Sequence, residues 1–326
     1  MSLFLDKPVV GRFAPSPTGI MHAGNVFSAL MCWLIVRLQN GRIVLRIEDL
    51  DGARSRSEFA DRIQRDLEAL GLTWDEGPCF QSTEGERYRT LISELEQRGL
   101  IYPCFCTRAD LQAASAPHAD EIRVYAGTCR DLTAEQRTMR LAERRAGFAR
   151  QEEADAYRPA LRVRCDDRII AFDDLFQGEF SCRLDAECGD FIVARSDGGA
   201  SYQLAVVADD AAQGVNCIVR GCDLLPVTPQ QIYLQELLGY ETPVYAHSPL
   251  LVDADGVRLA KRHRSAHYDE LLARYGSPQG ALGHICAVTG LTETDDPVTP
   301  EELLASLTLE SLQELYRGTK SIVYVD

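Results

Sequence analysis

The first hundred residues alternate short apolar runs with longer stretches in which apolar residues recur every three or four positions. Short runs are typical of buried strands, and the longer spacing is typical of amphipathic helices. The predicted strands are Val9–Phe13 and Ile43–Ile47. The predicted helices are Val26–Leu38, Ser57–Leu70 and Glu84–Arg98, each followed closely by a glycine that can end it. Strand and helix in alternation predict parallel pairing and an α/β fold.

The pattern changes after Tyr102. Residues 103–190 contain clustered cysteines, an arginine-rich helix and short strand-like pieces at Ala160–Cys165 and Phe180–Leu184, which together predict an insertion on the sheet. The α/β pattern returns with a buried strand at Cys217–Val219 and a helix at Thr228–Leu238. Short helices are predicted after residue 268, including two near Pro300–Leu307 and Leu309–Arg317. We therefore divide the chain into a first catalytic half (1–102), an insertion (103–190), a second catalytic half (191–250) and a C-terminal extension (251–326).

Composition narrows the class of protein. The chain has 326 residues, of which 45 % are hydrophobic, enough to build a sizeable core. Its N-terminus lacks the pattern of a secretory signal, and no apolar run has the length of a membrane span. The cysteines number eleven, an odd count, and they are scattered, which favours a reducing, cytoplasmic setting over a disulfide framework. Nothing in the sequence requires a dimer, so we expect a monomer.

The formal net charge of −15 argues against a dedicated nucleic-acid binder, although a local basic patch would suffice for RNA. One candidate patch is the predicted helix in Thr133–Arg150, where Thr133 and Gln136 have the spacing of a capping box. Its basic residues are Arg137, Arg140, Arg144, Arg145 and Arg150. Two interpretations stay open: an RNA contact, or a solvated face on which Glu135 and Glu143 pair with arginines.

A nucleotide site without a phosphate-binding glycine loop is predicted near the N-terminus. The sequence contains no Gly-x-x-x-x-Gly-Lys-Ser/Thr and no Gly-x-Gly-x-x-Gly after a strand. In Arg12–Asn25, however, a strand ends, a turn with two prolines follows, and a helix begins near His22. A helix N-terminus stabilises anions, and Gly24 lacks a side chain, so that a flat base could lie against the helix.

This stretch resembles the HIGH signature of class I aminoacyl-tRNA synthetases, in the form used by the glutamyl branch. Further segments resemble motifs of that branch in the same order. They are Arg46–Asp51, Ser201–Asp210 with Ile218–Asp223, and Arg258–Arg262 at the position of the KMSKS loop. The resemblance implies an α/β fold with a Rossmann-like parallel sheet, an inserted zinc-containing subdomain and a short helical C-terminal extension.

Two motifs depart from the family pattern. The last histidine of HIGH is Asn25 in this chain. In the KMSKS-like loop, Arg258 replaces the first lysine and Ala260 replaces the serine, so that Lys261 is the remaining central cation. The resemblance implies that Lys261 contacts phosphate, while the other contacts of the loop are open.

The implied reaction is attack of the α-carboxylate of L-glutamate on the α-phosphate of ATP. Such a reaction needs oriented anions and cations near the phosphates rather than a protein nucleophile. The resemblance assigns catalysis to His22 and Lys261, with Mg²⁺ accompanying ATP. It assigns glutamate binding to Arg12, Phe13, Ala14, Pro15, Ser16, Glu48, Tyr202 and Arg220. It assigns ATP binding to His22, Gly24, Asn25 and Lys261.

The cysteine cluster indicates a metal site. Cys104, Cys106 and Cys129 supply three thiols, one ligand short of a closed tetrahedral zinc site. His118 is a possible fourth ligand on chemical grounds. A Cys-x-Cys followed by Tyr-x-x-x-Cys resembles the zinc site of the branch that modifies queuosine, which implies Tyr125 instead. One structural zinc is therefore expected, and three reduced structural thiols are the alternative.

The member of the family is predicted from the region after Lys261. The chain ends at Asp326, too soon for a helical anticodon-binding domain. It therefore resembles the truncated paralogues of glutamyl-tRNA synthetase, which activate glutamate without tRNA and attach it to queuosine at the wobble position of tRNA(Asp). The expected partner is then the anticodon stem-loop of that tRNA. Two alternatives remain: the catalytic body of an ordinary glutamyl-tRNA synthetase, and an inactive paralogue that binds RNA.

Overall fold

Two sets of strands form the centre of the protein, seen in a computed structural model that describes residues 7–107, 109–110, 124–259 and 266–325. The first set runs parallel in the order β1, β2, β3. Its strands are β1 (Val10–Phe13), β2 (Arg42–Ile47) and β3 (Glu76–Phe80). The helices between and after them are α1 (Ala23–Leu38), α2 (Ser57–Ala69) and α3 (Gly85–Gln97).

Helix α1 is the core of this half because almost all of its apolar residues are buried. It ends at a tight return into β2, where Asn40 adopts a positive φ of 53°. Gly41 follows, and a Cβ there would lie 2.6 Å from the carbonyl oxygen of Val9. The close approach of the chain therefore requires glycine at this position.

The second set of strands has the order β7, β6, β10, β9, with β9, β10 and β6 parallel and β7 antiparallel. Their bounds are β6 (Ile169–Asp174), β7 (Gly178–Arg183), β9 (Cys217–Gly221) and β10 (Val244–Ser248). Between them lie β8 (Ile192–Ala194), α6 (Tyr202–Ala212) and α7 (Thr228–Leu238). The amide of Asn216 donates to the carbonyl of Val10 at 3.0 Å, so β9 begins beside β1 and the two sets adjoin.

Part of the predicted insertion belongs to this second set. Strands β6 and β7 fall within residues 103–190, yet β6 pairs with β10 at Asp174 and Tyr245. Strand β4 (Ile101–Cys104) begins just before the predicted insertion and pairs antiparallel with β5 (Ala160–Val163) within it, and β5 also pairs antiparallel with β8. The insertion also contains α4 (Ala134–Ala146) and α5 (Gln151–Ala156).

The C-terminal extension packs against the first half. Its elements are β11 (Leu250–Val252), α8 (Tyr268–Tyr275), α9 (Pro278–Thr289), α10 (Pro300–Ser306), α11 (Leu309–Tyr316) and β12 (Ser321–Val323). The amide of Tyr268 donates to the carbonyl of Met21 at 3.0 Å, which fixes the start of α8 beside the turn that precedes α1. Among the helices of the described residues, none has the length and apolarity needed to cross a membrane.

Candidate active site and cysteine cluster

A cleft of about 710 Å³ opens at the carboxyl ends of β1, β2 and β9. Ligands of parallel α/β sheets bind at this edge, because loops there converge on one crevice. Most of the side chains predicted for glutamate and ATP line it. They are Arg12, Phe13, Ala14, Pro15, Ser16, His22, Asn25, Glu48, Tyr202 and Arg220.

Strand ends bring these residues together. Arg12 lies within β1, Glu48 directly follows β2, and Arg220 is the fourth residue of β9. The amide of Glu48 donates to the carbonyl of Pro15 at 3.0 Å, so the proline turn after β1 is held against the end of β2. Tyr202 is the first residue of α6.

A buried charge network underlies one wall of the cleft. The Oδ1 atom of Asp210 accepts from Arg46 Nη1 at 2.6 Å and from Arg12 Nε at 3.3 Å. Arg46 also donates through Nη2 to Glu48 Oε1 at 3.2 Å. Arg12 further donates to the carbonyl of Val219 at 3.2 Å, which links β1 to β9. The network therefore fixes the positions of Arg12 and Glu48 before any ligand binds.

The two carboxylates of this network respond differently to their surroundings. Burial raises the pKa of Glu48, although Arg46 and Arg12 oppose that rise. Burial also acts to raise the pKa of Asp210, but the charges of Arg46 and Arg12 outweigh it and lower that pKa. Asp210 is therefore the permanent counter-ion of the two arginines, whereas Glu48 gains most from a further cation in the cleft.

Arg220, on β9 beside β1, also lines the cleft and is only 5 % exposed. Its three nitrogens donate to His247 Nε2 at 3.0 Å, Gln231 Oε1 at 2.7 Å and Thr228 Oγ1 at 2.7 Å. All three partners are uncharged, because burial lowers the pKa of His247. Arg220 thus presents a positive charge that none of these three hydrogen-bond partners neutralises.

Tyr202 adds a neutral hydroxyl to the cleft. Desolvation, followed by the charge of Glu48, raises its pKa, so the phenol stays protonated at neutral pH. A protonated phenol can donate a hydrogen bond to a carboxylate.

The N-terminus of α1 lies in the same cleft. The backbone N–H of His22 donates to Asn25 Oδ1 at 3.1 Å, and His22 is the N-cap residue of the helix. The space beside Gly24, expected to receive a flat base, is occupied by the side chain of His22. A Cβ at Gly24 would lie 3.1 Å from Cε1 and Nδ1 of His22, so the glycine accommodates the imidazole, and Gly24 is absent from the cleft lining.

The KMSKS-like loop is described only in part. Lys261 and Ala260 lie outside the described residues. Arg258 and Leu259 line the cleft, and the guanidinium of Arg258 pairs with the carboxylate of Asp223. The loop therefore begins at the edge of the cleft.

Several polar residues that support the site were not singled out from the sequence. Arg46 and Asp210 stood inside the quoted motifs without an assigned role. No local signal in the sequence marks His247, Gln231, Thr228 and Asp174, since a single buried polar residue in an apolar strand or helix resembles any other.

Asp209 does not join the charge network of the cleft wall through hydrogen bonds. It accepts from Gln81 at 2.9 Å and from Tyr88 at 2.7 Å, and the bond from Tyr88 anchors α3 to α6.

Helix α4 begins with the predicted capping box, formed by Thr133 and Gln136. Its arginines have local partners. Arg140 pairs with Glu143 at 3.2 Å, and Arg144 donates to the carbonyl of Phe105 at 2.6 Å. The contact of Arg140 agrees with the interpretation of a solvated, paired face, whereas Arg144 holds α4 against the segment that follows β4.

The three predicted cysteine ligands lie together. The sulfurs of Cys104, Cys106 and Cys129 are all within 4.8 Å of one another, and Cys106 and Cys129 are 3.7 Å apart. The hydroxyl of Tyr125 lies 3.5 Å from the sulfur of Cys104 and 3.6 Å from that of Cys106. His118, the other possible ligand, lies outside the described residues.

These spacings fit a tetrahedral ion. Two sulfurs bound to zinc at about 2.3 Å are about 3.8 Å apart, and a sulfur and an oxygen bound to it are about 3.6 Å apart. Two groups that attract electron density lie beside Tyr125. The amide of Cys129 donates to the hydroxyl oxygen at 2.9 Å, and the guanidinium of Arg162 lies 3.9 Å from the ring centroid. The cluster could therefore bind a metal through three sulfurs and one oxygen.

Comparison with known proteins agrees with the fold. The family model described as "tRNA synthetases class I (E and Q), catalytic domain" matches residues 8–324. A crystal structure of a glutamate tRNA ligase from Elizabethkingia meningosepticum has a TM-score of 0.76 at 23 % identity and covers 98 % of this chain and 67 % of that chain. A glutamate-tRNA synthetase from Elizabethkingia anophelis has a TM-score of 0.77 at 22 % identity, covering 98 % and 68 %. The fold is thus that of a class I synthetase catalytic domain.

Curated relatives narrow the family further. A glutamyl-Q tRNA(Asp) synthetase of Symbiobacterium thermophilum is 46 % identical over 305 residues, which are 90 % of each chain. The protein of the same name from Nitratidesulfovibrio vulgaris is 41 % identical over 313 residues, which are 93 % of each chain. The chain belongs to the glutamyl-Q tRNA(Asp) synthetase family of class I synthetases and is a ligase of the aminoacyl-tRNA synthetase type.

Proposed function

We propose that this protein activates L-glutamate with ATP, without tRNA, and transfers the glutamyl group onto queuosine at the wobble position of tRNA(Asp). The observation that carries the glutamate part is the charge arrangement of the cleft. Two buried arginines, Arg12 and Arg220, face it together with the carboxylate of Glu48, while the other carboxylate of the lining, Asp223, is paired with Arg258. Glutamate has two carboxylates and one ammonium, which is the complementary set.

In this proposal Arg12 and Arg220 each bind a carboxylate through a planar guanidinium fork. Glu48 accepts from the ammonium, and Tyr202 and Ser16 supply neutral hydroxyls. Because Asp210 already holds Arg12 in place, little ordering is needed when glutamate binds.

Adenylate formation follows from orientation. A carboxylate oxygen of glutamate forms a bond to the α-phosphorus of ATP, the bond from that phosphorus to the β-phosphate oxygen breaks, and pyrophosphate leaves. His22, at the N-terminus of α1, and Lys261 stabilise the charge on the phosphate oxygens. Asn25 lies on the same turn and contacts ATP. Mg²⁺ bound with ATP neutralises phosphate charge.

The acceptor is proposed from the family and from the cysteine cluster. The relatives that align over nearly their whole length carry the name glutamyl-Q tRNA(Asp) synthetase. The Cys-x-Cys and Tyr-x-x-x-Cys pattern agrees with that assignment. In the transfer step the glutamyl group passes to queuosine, and AMP is released. The anticodon stem-loop would then enter the cleft.

We further propose that one structural zinc is held by Cys104, Cys106, Tyr125 and Cys129. Cys104 ends β4 and Cys106 follows it closely, whereas Tyr125 and Cys129 come from a later part of the insertion, so the ion would tie that part to the strand. The described geometry supports tyrosine as the fourth ligand, because its oxygen already has the spacing from two sulfurs that zinc requires.

Two assays test the proposed function. Glutamate-dependent exchange between ATP and pyrophosphate is measured first, with and without tRNA. Exchange without tRNA is expected; exchange only with tRNA would indicate an ordinary glutamyl-tRNA synthetase, and no exchange would indicate an inactive paralogue. Charging of tRNA(Asp) with radiolabelled glutamate follows, comparing transcripts with and without queuosine. Equal charging of the two forms of tRNA(Asp) would refute queuosine as the acceptor.

A further inference from the structure

Behind Arg220 lies a buried pair of polar side chains that does not reach the cleft. His247 is completely buried in β10, and Asp174 at the end of β6 is 4 % exposed. The Nδ1 atom of His247 lies 2.6 Å from Oδ2 of Asp174, and its Nε2 atom lies 3.0 Å from Nε of Arg220. Three strands, β6, β10 and β9, thus contribute one residue each to a continuous chain.

The donors in this chain can be assigned from chemistry. A guanidinium has only N–H donors, so Nε2 of His247 must accept from Arg220. The ring proton then resides on Nδ1 and is donated to Asp174, which fixes both the tautomer and the ring orientation. The carboxylate is itself held, since its Oδ1 atom accepts from the amides of Phe176 at 3.0 Å and Gln177 at 2.9 Å.

Thr228 completes the arrangement. Its hydroxyl donates to the carbonyl of Leu224 at 2.9 Å and accepts from Nη2 of Arg220 at 2.7 Å. The same hydroxyl lies 3.1 Å from Nε2 of His247, but its single proton is assigned to the closer carbonyl of Leu224, which leaves Nε2 to accept from Arg220. The guanidinium therefore has fixed acceptors at all three nitrogens, with Gln231 at the third.

Arginine has five N–H groups, and these partners use one on each nitrogen. One N–H remains on each terminal nitrogen and is free of these three partners. We propose that the Asp174–His247 pair is a positioning device for Arg220, which sets the orientation of the guanidinium and thereby the affinity for the substrate carboxylate. This inference rests on the proposed function, because the carboxylate is that of glutamate.

The chemistry explains why histidine suits this position. A carboxylate next to Arg220 would neutralise its charge and weaken its attraction to a substrate anion. Neutral imidazole accepts the Nε proton without adding a charge, and burial, which lowers the pKa of His247, keeps it neutral. The negative charge is on Asp174, which is separated from Arg220 by the imidazole ring of His247.

Two substitutions at one position separate positioning from packing. In His247→Gln, the amide oxygen reaches the region of Nε2 and still accepts from Arg220. In His247→Asn, the shorter amide reaches only the region of Nδ1, so Arg220 Nε loses its acceptor. Both remove the ring, so a purely structural role would affect them alike. Steady-state exchange between ATP and pyrophosphate is measured in the full chain, varying glutamate and ATP separately.

We expect His247→Asn to raise the KM for glutamate by about 10- to 100-fold, the range for losing a hydrogen bond to a charged group. His247→Gln should recover most of that loss, and the KM for ATP should stay within about threefold in both. Equal KM values for glutamate in the two variants, or an equal rise in the KM for ATP, would overturn the inference.

A second pair covers the case in which neither His247 variant folds. Thr228→Val removes an acceptor of the same guanidinium, and Thr228→Ser retains it. A KM for glutamate that rises in the valine variant and not in the serine variant supports the inference; equal values overturn it. If the wild-type chain shows no glutamate-dependent exchange, the proposed function and this inference are both overturned. If the wild type is active and the paired variants have equal KM values for glutamate, only the inference is overturned.

Discussion

Arg46 donates a hydrogen bond to Asp210 at 2.6 Å, and the side chains of both residues are at most 2 % exposed. The same carboxylate oxygen also accepts from Arg12. Two cations in the interior thus share one anion, which comes from α6, far along the chain from both. The glutamate site is built on this ion pair rather than on isolated side chains.

Replacing Asp210 by asparagine should therefore destabilise the protein strongly. Removing one partner of a buried pair typically costs about 3–5 kcal/mol, because the remaining charge is left uncompensated. The free energy of unfolding, measured in urea at pH 7, should fall by that order, and the KM for glutamate should rise because Arg12 loses its anchor.

The neighbouring residue is a matched control. Asp209 is equally buried, but burial raises its pKa, and its hydrogen-bond partners Gln81, Arg87 and Tyr88 lie on α3 or just before it, away from Arg12 and Arg220. Asp209→Asn should loosen α3 and leave the KM for glutamate within about threefold of wild type. If both variants raised the KM equally, the specific role of Asp210 would be wrong.

The raised pKa of Glu48 predicts how activity depends on pH. Glu48 must be ionised to accept from the ammonium, and burial moves its pKa above the usual 4.5. The KM for glutamate should therefore increase as pH falls toward that pKa, and in Glu48→Gln it should be high and nearly independent of pH over this range. A wild-type profile as flat as that of the variant would contradict the role of Glu48.

The same shift makes a prediction about stability. A carboxyl whose pKa is raised by folding is stabilising below its unfolded pKa, and this contribution is lost as pH rises through the folded pKa. The melting temperature of the wild type, relative to Glu48→Gln, should therefore decrease from pH 4.5 upward. Thermal unfolding of both proteins across this pH range provides the measurement.

Much of the fold could be predicted because its helices have clear periodicity and end signals. Helices α1, α2 and α3 begin and end within three residues of the predicted bounds, and α7 matches them fully. Strand β3 was missed because its sequence, Glu76–Phe80, contains Gly77-Pro78, which indicates a turn. Strand β10 was also missed, because it ends in His247 and Ser248, polar residues whose burial depends on partners in other strands.

In the candidate site, too, residues within local motifs could be predicted, whereas residues that depend on tertiary pairing could not. Arg12, Glu48, Tyr202 and Arg220 were identified because they lie in ordered motifs, and the structure places them along one cleft. Their supporting residues, Asp174 and His247, are 73 positions apart, and only pairing between β6 and β10 brings them together. No local pattern carries that information.

The cysteine cluster predicts a measurable metal content. Purified protein should contain about one zinc ion per chain, and both Cys104→Ser and Tyr125→Phe should lower zinc affinity by at least about 10-fold. Cys79→Ser changes a half-buried thiol in β3 and should retain the metal, as should His118→Ala. Elemental analysis after dialysis gives the result. If the His118 variant lost zinc and the Tyr125 variant retained it, the fourth ligand would be His118 rather than Tyr125.

Lys261 is expected to act on the chemical step. A cation placed where negative charge develops on phosphate oxygens typically contributes about 10²- to 10³-fold to kcat. Lys261→Ala should therefore lower kcat for exchange by that order, with the KM for glutamate little changed, because the arginines and Glu48 bind glutamate elsewhere in the cleft. Arg258→Ala is the control: this residue pairs with Asp223 at the rim and should affect mainly the KM for ATP. If Lys261→Ala retained wild-type kcat, the phosphate charge would have to be stabilised by other groups, with His22 at the start of α1 the first to test.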